Sequence, residues 1–98
     1  MRFWQIIEFS TDRIDEFTSH LDAWKVRTEG ARIPHRAVLS RDRDTEGRYL
    51  LTVEFSTFEQ GMENSNRPET AEFASFLTGL SNSPLTFRNL DLLRDDDL

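Results

Sequence analysis

The sequence predicts an α+β domain with the element order β-α-β-β-α-β, on the strength of two observations. The phrase Glu-Phe-Ser-Thr occurs twice, at residues 8–11 and 54–57. Each copy follows a short apolar run and precedes a segment whose apolar residues recur every three or four positions, which is helical spacing. In both copies a strand therefore ends where a Ser or Thr begins a helix. A strand-to-helix unit that is used twice indicates a duplicated fold.

The first half of the chain contains a predicted strand over about residues 3–9 and a predicted helix from Thr11 to about Thr28. Acidic residues begin the helical segment, which suits the positive end of a helix dipole. Gly30 marks the end of the helix, because glycine readily adopts the left-handed conformation that follows a helix. A second strand is expected over about residues 35–42. The apolar face of the helix consists of Ile14, Phe17, Leu21 and Trp24.

A hairpin over residues 35–55 is expected to join the two halves. Residues 44–47 begin with Asp and end with Gly, as a type I turn often does. We therefore expect a three-residue loop that places Leu39 opposite Val53, and a third strand over residues 48–55. A two-residue turn would instead reverse the face on which every side chain of the second strand lies.

The second helical segment begins at Ser56, and Glu59 completes a capping-box pattern. The helix is expected to break before Pro68, because proline lacks a backbone donor and disfavours helix at the preceding residue. A final strand follows over about residues 85–93, and an acidic tail at about 94–98 is expected to fray. Helical spacing after the break is carried by Phe73, Phe76, Leu77 and Leu80.

This element order is that of the ferredoxin-like fold, in which a four-stranded antiparallel sheet carries both helices on one face. The chain has 98 residues, of which 37% are hydrophobic, and that is enough to bury a core. No linker or low-complexity segment interrupts it. We expect a single domain over residues 1–98.

Charge and composition exclude several classes of partner. The formal net charge is −6 and the Lys and Arg residues form no block, so the basic surface that nucleic acid or an anionic membrane requires is missing. Because the chain has no cysteine, it has no disulfide, thiolate nucleophile or thiolate-bound metal. No apolar run has the length of a membrane span, and the N-terminus lacks the pattern of a signal peptide. We expect a soluble cytoplasmic protein.

Alternation along the strands divides the predicted sheet into two faces. The face expected to lie under the helices carries Ile7, Phe9, Leu51, Val53 and Phe55. The opposite face carries Trp4, Ile6 and Leu50 among polar residues. Because a contiguous apolar patch usually marks an interface, we predict that two chains pack these faces together as a homodimer with a partly polar cavity between the sheets. The alternative is a single Trp on a mixed surface.

The predicted layout resembles a known family. The element order, the second helix broken within residues 62–70 and the closing segment Phe-Arg-Asn-Leu-Asp at 87–91 are similar to the dimeric α/β barrel superfamily, especially its antibiotic-biosynthesis-monooxygenase-like members. The similarity covers nearly the whole chain and rests on layout more than on a sharp motif. It implies a ferredoxin-like homodimer with a pocket in each subunit, between the sheet and the helices and near the broken helix.

The resemblance also implies a set of activities. These include cofactor-independent oxygenation of aromatic polyketide-like substrates and degradation of haem. Haem degradation requires a histidine on the second helix, and this sequence has none there. The resemblance therefore implies a small aromatic ligand and no cofactor.

His35 is the candidate general base, because histidine titrates near neutral pH. In the expected hairpin register, His35 lies on the helix side of the sheet near its edge. The alternative is a packed or rim histidine without a chemical role.

A polar cluster at the helix break, formed by Asn64, Asn66 and Arg67, is the second candidate, because a break exposes backbone groups as well as side chains. In the layout that the resemblance implies, this cluster borders the pocket. The alternative is that Asn66 merely caps the resumed helix. Together with Trp4 and Arg88, these residues are expected to bind substrate.

Glu8 and Glu54 have the residue types of an acid/base pair, but topology argues against it. Their strands run antiparallel, so at about 3.3 Å per residue we expect the two carboxylates to be about 20 Å apart. The favoured interpretation is a pair of rim carboxylates that bind nearby arginines, namely Arg36, Arg41 or Arg88.

Two functions remain open. The chain is either an enzyme with no bound metal, which positions an aromatic substrate for reaction with oxygen, or a non-catalytic dimer that binds a small ligand or a protein. A cavity of about 300 Å³ or more with convergent polar groups would favour the enzyme. The sequence contains no glycine-rich phosphate loop, and its two histidines lack the spacing of zinc ligands.

Overall fold

The computed structural model describes all 98 residues and contains four strands and three helices. The strands are β1 (Phe3–Ser10), β2 (Arg36–Arg41), β3 (Arg48–Phe55) and β4 (Thr86–Asp91). The helices are α1 (Ile14–Arg27), α2 (Phe58–Ser65) and α3 (Pro68–Leu80). The strands form one antiparallel sheet in the order β2-β3-β1-β4. This is the predicted ferredoxin-like arrangement, with the second helix divided at the predicted break.

The predicted division of the sheet into two faces is confirmed. The buried hydrophobic strand residues share one parity and are Phe3, Ile7, Phe9, Leu51 and Phe55, while the one buried strand residue of the other parity is the charged Glu54. The helices cover this face, and Phe17 of α1 and Leu77 of α3 belong to the same buried cluster as Ile7, Phe9 and Leu51. Phe17 has no solvent exposure, and its ring centre lies 5.2 Å from that of Phe9.

Helix α1 begins at Ile14, three residues later than the pattern predicts. Thr11, the expected start, is buried and connects the two halves instead of capping a helix. Its hydroxyl donates to the backbone oxygen of Leu80 at 3.0 Å and accepts from the backbone N–H of Arg13 at 3.0 Å. Its own N–H donates to the oxygen of Gly47 at 2.9 Å.

The cap of α2 lies one residue after the predicted capping box. Thr57, not Ser56, is the N-cap, and its hydroxyl accepts from the backbone N–H of Gln60 at 3.1 Å. The side chain of Gln60 accepts in turn from the backbone N–H of Ser56 at 3.2 Å. Gln60 therefore has the role that the sequence suggested for Glu59.

The β2–β3 hairpin has a five-residue loop, 43–47, where three residues were expected. The loop is closed by the backbone N–H of Asp42, which donates to the oxygen of Arg48 at 2.9 Å. Leu39 therefore pairs with Leu51 and not with Val53, a shift of two residues. Because the side-chain period of a strand is two, an even shift leaves every residue on its predicted face.

None of the three helices combines the length and the apolar character that crossing a membrane would require.

Candidate functional site

A cavity of about 330 Å³ lies between the helix-covered face of the sheet, α1 and the break between α2 and α3. Its floor is apolar and includes the buried residues Ile7 and Leu51. Trp24 and Phe73 line it as aromatic side chains. The lining residues are Gln5, Ile7, Leu21, Asp22, Trp24, Lys25, Arg32, Pro34, His35, Arg36, Ala37, Leu51, Val53, Asn64, Thr70 and Phe73.

The helix break supplies the polar wall of this cavity. Asn66 is the C-cap of α2. Pro68 is the first residue of α3, where its fixed φ suits the helix and its missing N–H would have no partner within the helix. The chain therefore changes direction between the two helices. Asn64 in the last turn of α2 and Thr70 in the first turn of α3 both line the cavity.

The predicted polar cluster divides at the break. Only Asn64 lines the cavity. Asn66 is exposed, and α3 has Arg67 as its N-cap with no side-chain capping bond, so the interpretation of Asn66 as the cap of the resumed helix is wrong. The Arg67 guanidinium reaches the loop after α1, where its Nη1 donates to the oxygen of Ala31 at 2.6 Å.

His35 lines the cavity just before β2, which is an edge strand of the sheet. Its side chain is 46% exposed, and its Nε2 lies 3.9 Å from Oε1 of Glu54. That distance is too long for a hydrogen bond but close enough for attraction when the imidazole is protonated. Geometry thus leaves His35 free to meet a ligand at the rim.

The structure places Trp4 and Arg88 away from this cavity, on the opposite face of the sheet. Trp4 pairs with Leu90 of β4 and with Glu54 of β3, and Arg88 lies opposite Ile6. The indole Nε1 of Trp4 is buried without a hydrogen-bond partner. The substrate-binding residues predicted from sequence therefore do not form one group, and a role for Trp4 and Arg88 in binding stays a prediction.

Glu8 and Glu54 lie apart, as expected, although by less than the sequence estimate. In the observed register Glu54 is opposite Trp4, four positions from Glu8, which is about 13 Å at 3.3 Å per residue. Oε2 of Glu54 lies 3.7 Å from Nε of Arg36, one of the predicted partners. Glu8 instead pairs with Arg48, at 2.9 Å between carboxylate and guanidinium.

The hydrogen bond from Arg48 holds the pKa of Glu8 below its ordinary value of 4.5, and the positive charges of Arg48 and Arg88 act in the same direction. The same contact raises the pKa of Arg48. This ion pair lies on the face opposite the cavity, so we assign it to stability. No group of three or more His, Asp or Glu side chains is placed to hold a metal ion.

Sequence reasoning missed most of the cavity wall. Trp24 lies on the apolar face of α1, which predicts a core position, yet it is only half-buried and lines the cavity. Lys25 and Arg32 gave no periodic signal, because one lies on the polar side of a helix and the other in an irregular link. One residue of the sequence could have indicated the cavity. Gln5 is a polar residue between Phe3 and Ile7 on the face predicted to be buried, and it lines the cavity.

Comparison with known proteins supports the fold. No protein-family model matches the chain, and no curated protein matches it in sequence. Among solved structures, Rv0793 from Mycobacterium tuberculosis is 16% identical, with a TM-score of 0.76 over 99% of this chain and 100% of that one. A variant of SnoaB, a cofactor-independent oxygenase from Streptomyces nogalater, is 16% identical with a TM-score of 0.78 over 96% of this chain and 95% of that one.

A protein of Bordetella bronchiseptica, provisionally named an antibiotic biosynthesis monooxygenase, is 17% identical with a TM-score of 0.75 over 95% of this chain and 98% of that one. The chain has the antibiotic-biosynthesis-monooxygenase-like fold. The resemblance predicted from the layout of the sequence is thereby confirmed for the fold.

Proposed function

We propose that the chain is a homodimeric small-molecule enzyme that oxygenates an aromatic, polyketide-like substrate without a cofactor, with the helix-break cavity as its active site. The observation that carries the proposal is the cavity of about 330 Å³, in which aromatic and polar side chains converge. Its volume lies in the range of small-molecule sites, about 300–1,000 Å³. The likeness to SnoaB, a cofactor-independent oxygenase, supports the same reaction class.

The chemistry assigned to the cavity needs a base and a group that stabilises negative charge. His35 would accept a proton from an activated carbon of the substrate, which leaves an electron-rich carbanion. Reaction of that carbanion with oxygen gives a hydroperoxide after protonation, and loss of one water leaves a carbonyl group. The side-chain amide of Asn64 would donate a hydrogen bond to the oxygen that carries the negative charge.

The aromatic residues would orient the substrate. Trp24 and Phe73 lie with ring centres 6.3 Å apart at an interplanar angle of 68°. A flat substrate that stacks on one ring therefore meets the edge of the other, which is a favoured aromatic geometry. The buried floor at Ile7 and Leu51 keeps water from the reacting carbon.

The dimer is proposed from the uncovered face of the sheet. Val38 and Leu90 are 36% and 39% exposed there, on the same face as Trp4, Ile6 and Leu50. Packing two such faces together would remove a contiguous apolar patch from water. Each Å² of apolar surface buried in this way would stabilise the dimer by about 25 cal/mol. Sedimentation at micromolar concentration tests the proposal, since a monomer there would contradict it.

Oxygen uptake with anthrone as the probe tests the activity. We expect oxygen uptake by the wild-type chain. The rate of uptake should fall by about 100-fold or more in His35→Gln and in Asn64→Ala, because a general base and an oxyanion donor each raise a reaction rate by a factor of that order. Arg43→Gln, an exposed loop change, serves as the matched control. Full activity in His35→Gln combined with its loss in Trp4→Ala would place the reaction at the opposite face of the sheet instead.

The exposure of His35 favours one alternative function, a ligand-binding dimer without catalysis. The imidazole is 46% exposed and has no hydrogen-bonded partner to orient it. Binding of aromatic molecules in the cavity, with no oxygen uptake across a panel of anthrones and hydroquinones, would identify this second function.

A further inference from the structure

The charge at the rim of the cavity is opposite in sign to that of the whole chain. The chain has a formal net charge of −6. The charged residues that line the cavity are three cations, Lys25, Arg32 and Arg36, and a single carboxylate, Asp22. Positive charge gathered at the mouth of a concave site raises the local concentration of anions.

These cations are largely without carboxylate partners. Neither Lys25 nor Arg32 takes part in any ion pair of the structure. Arg36 approaches only Glu54, at 3.7 Å between its Nε and Oε2. The rim therefore holds two cations, Lys25 and Arg32, that no carboxylate of the chain neutralises by direct contact, whereas Arg36 is paired with Glu54.

Arg32 is placed where a bound ring would need it. Its guanidinium carbon lies 5.9 Å from the centre of the Trp24 ring, within the range of a cation–π interaction. An aromatic ligand that packs beside Trp24 brings its edge to this guanidinium. The two parallel N–H donors of an arginine match the two oxygens of a carboxylate.

The apolar residues of the cavity floor disfavour a charged group beside them, whereas Gln5 is the polar residue of the floor. Ile7 and Leu51 are buried apolar residues and offer no hydrogen bond to a charged group. Burying a carboxylate there would be strongly unfavourable, whereas an uncharged ring gains from the same contact. The cavity thus has an apolar end for a ring and a cationic end for an anion.

We infer that the cavity binds an aromatic carboxylate, with its ring against Trp24 and Phe73 and its carboxylate on Arg32. The inference rests on the proposed function, since the same cavity is taken as the substrate site, and it adds the charge of the substrate. Lys25 contributes long-range attraction at the rim.

Isothermal titration calorimetry with 2-naphthoate and its neutral analogue 2-naphthamide tests this inference. Wild-type protein binds naphthoate about tenfold more tightly than naphthamide, as expected for one charge-assisted contact at an exposed rim. This preference shrinks as salt is raised, because the contact is exposed to screening. Arg32→Gln removes the preference and leaves naphthamide binding within about twofold, while Arg32→Lys keeps part of it.

Arg43→Gln is the control, because it removes the same unit of charge from an exposed loop residue that does not line the cavity. Equal affinity of the wild type for the two ligands overturns the inference about the carboxylate. It does not contradict the proposal that the cavity binds aromatic molecules. If Arg43→Gln reduces the preference for naphthoate as much as Arg32→Gln does, the inference is also overturned, since the overall charge of the chain would then explain the preference. If neither ligand perturbs the indole N–H signal of Trp24 in NMR spectra, both the inference and the proposed site are wrong.

Discussion

Arg67 connects the helix break to the link between α1 and β2, because its Nη1 donates a hydrogen bond to the backbone oxygen of Ala31 at 2.6 Å. The link carries three residues that line the cavity, namely Arg32, Pro34 and His35. Arg67 does not line the cavity itself. Its contact is therefore a positioning one, which holds one side of the proposed site against the other.

Replacing Arg67 by Met should weaken ligand binding in the cavity and lower the stability of the fold only modestly. We expect a loss of about 1 kcal/mol in the free energy of unfolding for one exposed hydrogen bond, and a weakening of 2-naphthoate binding by about three- to tenfold as the link moves. Chemical denaturation and calorimetry measure the two effects.

The control for this prediction is Arg27→Met, which breaks an exposed pair with Glu72 at 3.0 Å between α1 and α3, where neither residue lines the cavity. Arg27→Met should leave naphthoate affinity unchanged. Equal weakening in both variants would mean that Arg67 has no special role in positioning the link.

Gly61 is required because α2 lies directly against Phe3. A Cβ atom built on Gly61 would lie 2.7 Å from two ring carbons of Phe3, which is buried. We expect Gly61→Ala to lower the free energy of unfolding by about 1–2 kcal/mol, because overpacking a core outweighs the gain in helix propensity. Urea denaturation measures the change.

Gly79→Ala is the matched control in α3, because a Cβ there meets nothing within 4 Å. It should stabilise the protein by about 0.5 kcal/mol through helix propensity alone. A stabilising effect of Gly61→Ala would show that the ring of Phe3 moves aside at no cost.

Because of the Glu8–Arg48 pair, we expect the free energy of unfolding to depend on pH in the acidic range. Because the pKa of Glu8 is lower in the folded chain than its ordinary value of 4.5, the unfolded chain binds the proton more readily. The stabilising contribution is therefore present above about pH 4.5 and is lost as the pH falls through the depressed pKa.

Glu8→Gln should show a smaller fall in the free energy of unfolding between pH 6 and pH 3 than the wild type, measured by urea denaturation at each pH. Glu46→Gln, a change at an exposed loop carboxylate with no ion pair, should retain the wild-type slope. A wild-type slope in Glu8→Gln would contradict the assignment of this pair to stability.

The proposed dimer predicts opposite outcomes for lysine on the two faces of β4. Leu90 pairs with Trp4 on the uncovered face, whereas Phe87 pairs with Ile7 on the helix-covered side and is 49% exposed at the edge. Leu90→Lys should weaken the dimer by about 100-fold or more, since it buries an unpaired charge. Phe87→Lys should sediment as the wild type does.

Sedimentation across a range of concentrations measures the difference. Equal association by Leu90→Lys and the wild type would show that the uncovered face of the sheet is not the interface.

The sequence by itself determined the elements and their faces, because these depend on local periodicity. The apolar stripe that begins at Ile14 defined α1, alternation placed Phe9 and Leu51 under the helices, and Pro68 located the break. Even the wrong loop length in the hairpin left Leu39 on its predicted face, because the error was an even number of residues.

Only the tertiary structure decided which polar residues share a site. Asn64 lies far from Arg32 and His35 in the sequence, and it meets them at one cavity because α2 and the link before β2 converge over β1 and β3. Such convergence depends on long-range packing, which periodicity does not encode. For the same reason Trp24, which the apolar face of α1 predicts to be a core residue, instead lines the cavity. Trp4, expected to bind substrate together with Asn64, lies on the opposite face of the sheet.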